Sequence, residues 1–150
     1  MKSNLGILAK IGAILFFLWG ILHLWVPYKG FTEYYEKGNG FGMLVSKNYK
    51  GFNMPKDEST SYVLNNLFLN FVSNVGGYGI LSIFVAYMLW NDINVWLAYF
   101  IGITCTGVAD TAFLYFQVMS GIIEITFPVL AGPTLWFLAA IITPIGLLNN

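Results

Sequence analysis

The chain has 150 residues, of which 57% are hydrophobic and only 9% are charged. A soluble domain carries about 25% charged residues, so this composition is typical of an integral membrane protein. Seven lysines, no arginine and seven acidic residues give a net charge of zero, which excludes a basic surface for nucleic acid. A single cysteine, Cys105, and a single histidine, His23, exclude a Cys-pair thiol oxidoreductase and bis-histidine haem ligation within one chain.

Four apolar stretches are long enough to span a membrane, since a spanning helix needs about 20 apolar residues. In chain order they are residues 5–27, 62–90, 95–119 and 128–148. The last two connections are short, which predicts that consecutive helices run antiparallel. We therefore expect an all-α fold, a four-helix membrane bundle forming a single transmembrane domain over residues 1–150, with both termini on one side. The expected location is a prokaryotic cytoplasmic membrane, crossed several times.

The one long connection, residues 28–61, is expected to lie outside the membrane. Its glycines and Pro55 break any long regular element, and its aromatic rings are typical of the membrane interface. The sequence predicts an interfacial cap built around Tyr28, Phe31, Tyr34, Tyr35, Tyr49 and Phe52. Five lysines lie in this connection and two near the N-terminus, so the positive-inside rule favours a cytoplasmic position for it.

Polar residues inside the predicted spans are the candidate functional residues, because polar side chains in hydrocarbon are costly. Asn66, Asn70 and Asn74 recur every four residues, on one face of the second helix. Asp110 is the acid nearest the middle of a span. With His23 and Gln117, these residues should all lie in the half of the bilayer next to the long connection. The pattern predicts a polar pocket open on that side and closed by apolar residues beneath, able to bind a ligand or a proton.

Each candidate also has a structural interpretation. Asp110 can be a hydrogen-bonded carboxyl that joins helices, and the three asparagines can hold helices together. His23 can be an ordinary interfacial or bundle histidine. A metal site combining His23, Asp110 and Glu124 is chemically conceivable, although the sequence lacks paired ligand spacing.

The segment Phe17-Leu18-Trp19-Gly20-Ile21-Leu22-His23-Leu24-Trp25-Val26-Pro27 resembles the first helix of DoxX-like small membrane proteins. Gly76-Gly77-Tyr78-Gly79, at the start of an apolar run, is similar to that family's second helix. The resemblance implies a four-helix membrane protein, sometimes associated with quinone-linked or redox complexes. The asparagines and Asp110 do not map onto the family.

Three functions follow from these patterns. The first is a non-catalytic accessory subunit of a larger membrane complex, whose pocket holds a lipid or a quinone. The second is a small oligomeric transporter or channel, in which Asp110 binds the transported or coupling proton. The third is an intramembrane enzyme that uses His23 and Asp110. The expected partners are membrane lipids, and either other membrane subunits or further copies of the chain.

Overall fold

The computed structural model describes residues 6–38, 40–41, 45 and 55–149. Four helices account for most of this part of the chain, and each is long and apolar enough to cross a membrane. They are α1 (Ile7–Lys37), α2 (Glu58–Trp90), α3 (Val95–Val118) and α4 (Phe127–Leu148). This confirms the all-α, four-helix architecture, whose length and composition fit a multi-pass membrane protein.

Helix α1 continues ten residues beyond its expected end at Pro27. The proline ring packs against α2 at Gly76, where an added Cβ would lie 2.8 Å from Pro27 Cγ. Beyond it, Gly30 packs on Val72 and Phe68 of α2. A Lys37–Glu33 ion pair of 2.5 Å supports the last turn. The helix stops at Gly38, whose φ of 65° is the left-handed conformation that favours glycine.

Helix α2 begins four residues earlier than expected, so the long connection is reduced to residues 38–57. Asp57 caps the helix by accepting a hydrogen bond from the Thr60 N–H at 2.7 Å. The predicted aromatic cap is therefore wrong for Tyr28, Phe31, Tyr34 and Tyr35, which belong to α1. Tyr49 and Phe52 lie outside the described residues.

Helix α3 contains two π turns, Gly102–Thr106 and Leu114–Val118. Between them lies one ordinary α-helical segment, Gly107–Phe113. A π turn accommodates an extra residue, so it rotates the following residues relative to the regular helical repeat. The face that α3 presents to the bundle therefore changes at each π turn.

Small residues let α1 pack closely against both α2 and α4. The α1 and α2 backbones meet at Gly20 and Gly79, where a Cβ added to Gly20 would lie 2.7 Å from the Gly79 carbonyl oxygen. Along α4, Gly132 lies beside His23 and Gly146 beside Ala9, so α4 runs antiparallel to α1. Close backbone approach of this kind is common between membrane helices. The largest fully buried side chains include Trp19, Phe16, Phe68 and Leu89.

Helices α1 and α2 extend beyond the other two. Their 31 and 33 residues make about 46 Å and about 50 Å of helix, against a hydrocarbon core of about 30 Å. Because Gly132 lies beside His23, the start of α4 at Phe127 is level with about Tyr28. Residues 28–37 and 58–70 consequently form a two-helix projection, which we call the projecting arm.

Candidate functional site

Asp110 lies in the interior of the bundle, in the segment of α3 between the two π turns. Its side chain is almost completely buried, with 3% of the residue exposed. The indole N–H of Trp19, on α1, donates to Asp110 Oδ2 at 2.7 Å. This bond links residues 91 positions apart in the sequence and joins α1 to α3. A short hydrogen bond to a carboxylate is one of the stronger polar contacts available to a protein.

His23 contacts the other oxygen of the same carboxyl group. Its Nε2 lies 3.5 Å from Asp110 Oδ1, slightly beyond ordinary hydrogen-bond length. The imidazole stacks on Trp19, with ring centroids 3.4 Å apart and planes 17° apart. His23 Nδ1 lies 2.9 Å from the Trp19 carbonyl oxygen. Trp19, His23 and Asp110 thus form one cluster, which we call the acid–imidazole cluster.

The contact at Nδ1 determines which ring nitrogen of His23 carries a hydrogen. A carbonyl oxygen only accepts, so Nδ1 must carry a hydrogen and donate it to the Trp19 carbonyl. Nε2 and Asp110 Oδ1 then attract each other only if one of them carries a further proton. Two arrangements place this proton between His23 and Asp110. One pairs imidazolium with carboxylate, the other pairs imidazole with carboxylic acid, and both are neutral overall.

Glycine positions on neighbouring helices make room for this cluster. A Cβ added to Gly132 of α4 would lie 2.9 Å from His23 Cε1, and one added to Gly79 of α2 would lie 3.2 Å from His23 Cβ. His23 is therefore enclosed by α2 and α4 as well as by the Asp110 carboxyl group of α3, and 15% of its side chain remains exposed.

A second indole lies on the α4 side of the Asp110 segment. The ring of Trp136 packs over Gly107, with Nε1 3.0 Å from where a Cβ of Gly107 would be. Gly107 is three residues before Asp110, so the two positions are neighbours on α3. Trp136 Nε1 is fully shielded from solvent and has no hydrogen-bond partner among the described residues. A buried donor without a partner is uncommon in folded proteins.

The structure places the asparagines away from the acid–imidazole cluster. Asn66, Asn70 and Asn74 are all exposed on the outside of α2. Asn74 Nδ2 donates to Asn70 Oδ1 at 2.9 Å, and Asn66 Nδ2 donates to the Tyr62 carbonyl at 2.9 Å. The expectation that they face the same interior as Asp110 is wrong, because the buried face of α2 is the one carrying Asn65, Phe68, Val72, Gly76 and Gly79.

The depth of the asparagines also differs from the expectation. Val72 packs against Gly30, which lies beyond the start of α4. Asn66 and Asn70 therefore belong to the projecting arm, where water or lipid headgroups can solvate their amides. Asn65, which the sequence did not single out, is the buried amide here: it donates to the Gly38 carbonyl and accepts from the Phe41 N–H.

Gln117 and Glu124 do not join the cluster. Gln117 is half-buried in the second π turn, and Glu124 is exposed in the connection between α3 and α4. Within the described part of the chain, no three His, Cys, Asp or Glu side chains come together as a metal site. The set of His23, Asp110 and Glu124 is therefore not assembled. Cys105 is free and exposed on the outer face of α3.

The projecting arm carries an open cleft of about 630 Å³. It is lined by Tyr34, Tyr35, Gly38, Pro55, Lys56, Glu58, Ser61, Tyr62 and Asn65. This cleft is separate from the acid–imidazole cluster and shares no lining residue with it.

Trp19 is the member of the cluster that sequence reasoning missed. Its position four residues before His23 places the two side chains on one helix face, which is a usable signal. A tryptophan in the middle of a membrane helix also needs a partner for its N–H, and Asp110 is the buried acceptor that fits. Comparisons with protein-family models, with curated proteins and with solved structures found no match.

Proposed function

We propose that this chain is a proton-linked integral membrane protein, a small transporter or channel in which the acid–imidazole cluster binds and releases one proton. The observation that carries the proposal is the contact between His23 Nε2 and the buried Asp110 Oδ1. An ionisable pair inside a membrane protein is typical of proton relays. The path would be completed between copies of the chain, because the four helices of one copy pack closely through small residues.

The depth of the cluster supports access from one side. His23 is five residues from Tyr28, so the pair lies about 8 Å inside the end of the four-helix part. Below it, α1 and α2 are closed by buried apolar side chains such as Phe16, Val85 and Leu89. A proton can therefore reach the pair more readily from the side of the projecting arm.

Proton uptake by the purified protein tests this proposal. In unbuffered detergent solution with a pH indicator, Asp110→Asn should bind one proton fewer per chain than the wild type, over the pH range in which both remain folded. Glu124→Gln, which removes an exposed carboxyl group, calibrates the detection of a single site. Equal uptake by wild type and Asp110→Asn would show that the carboxyl group does not titrate in the folded protein, and would overturn the proposal.

Measurements in reconstituted vesicles distinguish a proton channel from a proton-coupled transporter. With a trapped pH dye and a potassium diffusion potential, a proton current that Asp110→Asn abolishes indicates a channel. Proton binding without a current indicates a coupled transporter, whose movement of protons requires a second substrate.

A different observation favours a second candidate, the accessory subunit of a larger membrane complex. The projecting arm exposes Asn66 and Asn70 together with the cleft at Lys56 and Glu58, all available to another subunit. In this role a lipid or a quinone-like molecule would be the bound ligand. Native mass spectrometry of protein extracted from its own membrane should then show larger subunits in fixed stoichiometry.

The membrane topology belongs to the same proposal. The antiparallel contacts of α1 with α4 support both termini on one side, opposite the projecting arm. The lysines at positions 29, 37, 47, 50 and 56 favour a cytoplasmic arm, in a prokaryotic cytoplasmic membrane. Membership of the DoxX-like proteins would imply the same four-helix arrangement.

A further inference from the structure

Two buried indole N–H groups lie against the α3 segment that carries Asp110. Trp19, on α1, is bonded to it, whereas Trp136, on α4, packs over the neighbouring Gly107 with its N–H unpartnered among the described residues. We propose that Trp136 is a positioning residue, the alternative hydrogen-bond donor that receives the Asp110 carboxylate after the shared proton has left. This inference rests on the proposed proton-linked function and names the second state of the same site.

Loss of the proton itself supplies the reason for the movement. With the proton present, His23 Nε2 and Asp110 Oδ1 attract each other. When it leaves to the aqueous phase, Nε2 has only a lone pair, because the hydrogen on Nδ1 stays with the Trp19 carbonyl. A lone pair facing a carboxylate oxygen is repulsive. The carboxylate then gains by turning towards a different donor, and Trp136 Nε1 is the buried one available.

Among the described residues, His23 is the titratable side chain in contact with Asp110. Helix α4 carries no ionisable side chain from Phe127 to Leu148. On α3, the Tyr99 hydroxyl donates to the Ala140 carbonyl at 2.8 Å, while Cys105 and Tyr115 are exposed. On α2, Tyr78 and Tyr87 are exposed. His23 is therefore the neighbour whose charge acts most directly on the Asp110 carboxyl group.

The two π turns give the Asp110 segment a means of turning. Gly107–Phe113 is bounded on both sides by π turns, Gly102–Thr106 and Leu114–Val118. Such turns occur frequently at functional sites. In the proposed second state, a small rotation of this segment exchanges the Trp19 contact of Asp110 for one with Trp136, whose ring covers Gly107.

Removing the Trp136 N–H tests the inference. Trp136→Phe deletes it, and benzothienylalanine at position 136 deletes it while keeping the size of the ring, which controls for a packing defect. The same isosteric replacement is made at two other tryptophans for comparison. Trp19 donates to Asp110 in the structure, which we call the resting state, and Trp25 is exposed. The readouts are resistance to unfolding in detergent and the pH curve of proton uptake.

The isostere at Trp136 should leave resistance to unfolding unchanged, because no hydrogen bond is lost in the resting state. The Asp110 carboxyl group of this variant should bind its proton about tenfold more tightly than in the wild type, because the ionised carboxylate has lost a hydrogen-bond donor. The isostere at Trp19 should lower resistance to unfolding, and that at Trp25 should change neither readout.

Two results would overturn the inference. One is a loss of stability at Trp136 equal to that at Trp19, which would mean that the N–H is already bonded in the resting state. The other is a pH curve of proton uptake that is the same in both Trp136 variants as in the wild type. Failure of the proposed function is separate, because it appears as equal proton uptake by wild type and Asp110→Asn.

Discussion

At the scale of single residues, Asp110 shows how a carboxyl group is kept inside a membrane bundle. One oxygen accepts from Trp19 and the other faces His23, so both are engaged. An unpaired charge in the same place would carry a severe desolvation cost. The cluster therefore stabilises the contact between α1 and α3 in any function that the protein performs.

Asp57, outside the spanning segments, provides a pH prediction. The hydrogen bond from the Thr60 N–H holds the pKa of the Asp57 carboxyl group below its usual value of 3.8. A lowered pKa means that the cap stabilises the start of α2 above pH 3.8 and loses this effect as the pH falls through the lower, folded value. The Thr60 amide resonance should therefore shift with a midpoint below pH 3.8.

The Asp57→Asn variant is the control for this titration. Asparagine also caps helices but does not ionise, so its Thr60 resonance should be independent of pH. If the Thr60 amide resonance of Asp57→Asn still shifted with pH, the shift would come from the neighbouring Glu58, which would contradict the prediction.

At the scale of elements, the π turns explain where the regular helical repeat fails. A uniform helical repeat would place Gly107, Asp110, Leu114 and Gln117 on one face of α3. The structure keeps Gly107 and Asp110 buried, but Leu114 and Gln117 fall in the second π turn and are half-buried. A sequence does not reveal such an inserted residue, because it is accommodated by contacts with other helices.

Deletion of Thr104 tests the first π turn. Thr104 is exposed, and removing it should convert Gly102–Thr106 into ordinary helix while the contacts of Tyr99 and Asp110 persist. We expect a change of at most about 1 kcal/mol in the free energy of unfolding, measured in detergent.

Deletion of Leu138 is the matched control, since it is exposed in α4, which contains no π turn. It rotates Thr143 and Gly146 by about 100° relative to Gly132, and this should prevent folding. If both deletions were equally damaging, the extra residue in α3 would not be a π insertion.

Helix boundaries show the other limit of the sequence. Apolar length predicts the four spans, but the continuation of α1 past Pro27 depends on Gly30 meeting Val72 and Phe68. Packing also decides which face of α2 points into the bundle. The asparagines at positions 66, 70 and 74 share a face, but contacts at Phe68, Val72 and Gly76 turn that face outward. Trp19 and Asp110 meet only through tertiary structure, so spacing could not pair them.

At the scale of the whole molecule, the projecting arm predicts a pattern of chemical accessibility. In intact cells or oriented vesicles, a membrane-impermeant maleimide should not label Cys105, because we expect its level on α3 to lie within the hydrocarbon. In a Cys105→Ser background, Tyr35→Cys and Glu58→Cys should both be labelled from the same side of the membrane. Labelling of Cys105 in intact membranes, or of the two arm positions from opposite sides, would contradict the arrangement.

The central position of α1 also affects how the protein is made. This helix contacts α2, the Asp110 segment of α3 and the glycines of α4, all of which leave the ribosome after it. During synthesis, His23 enters the lipid before Asp110 exists, and Gly132 closes the site last. If the spans enter the membrane in chain order, α1 must therefore be tolerated there with its Nδ1 bonded to the Trp19 carbonyl but with no carboxyl group beside Nε2.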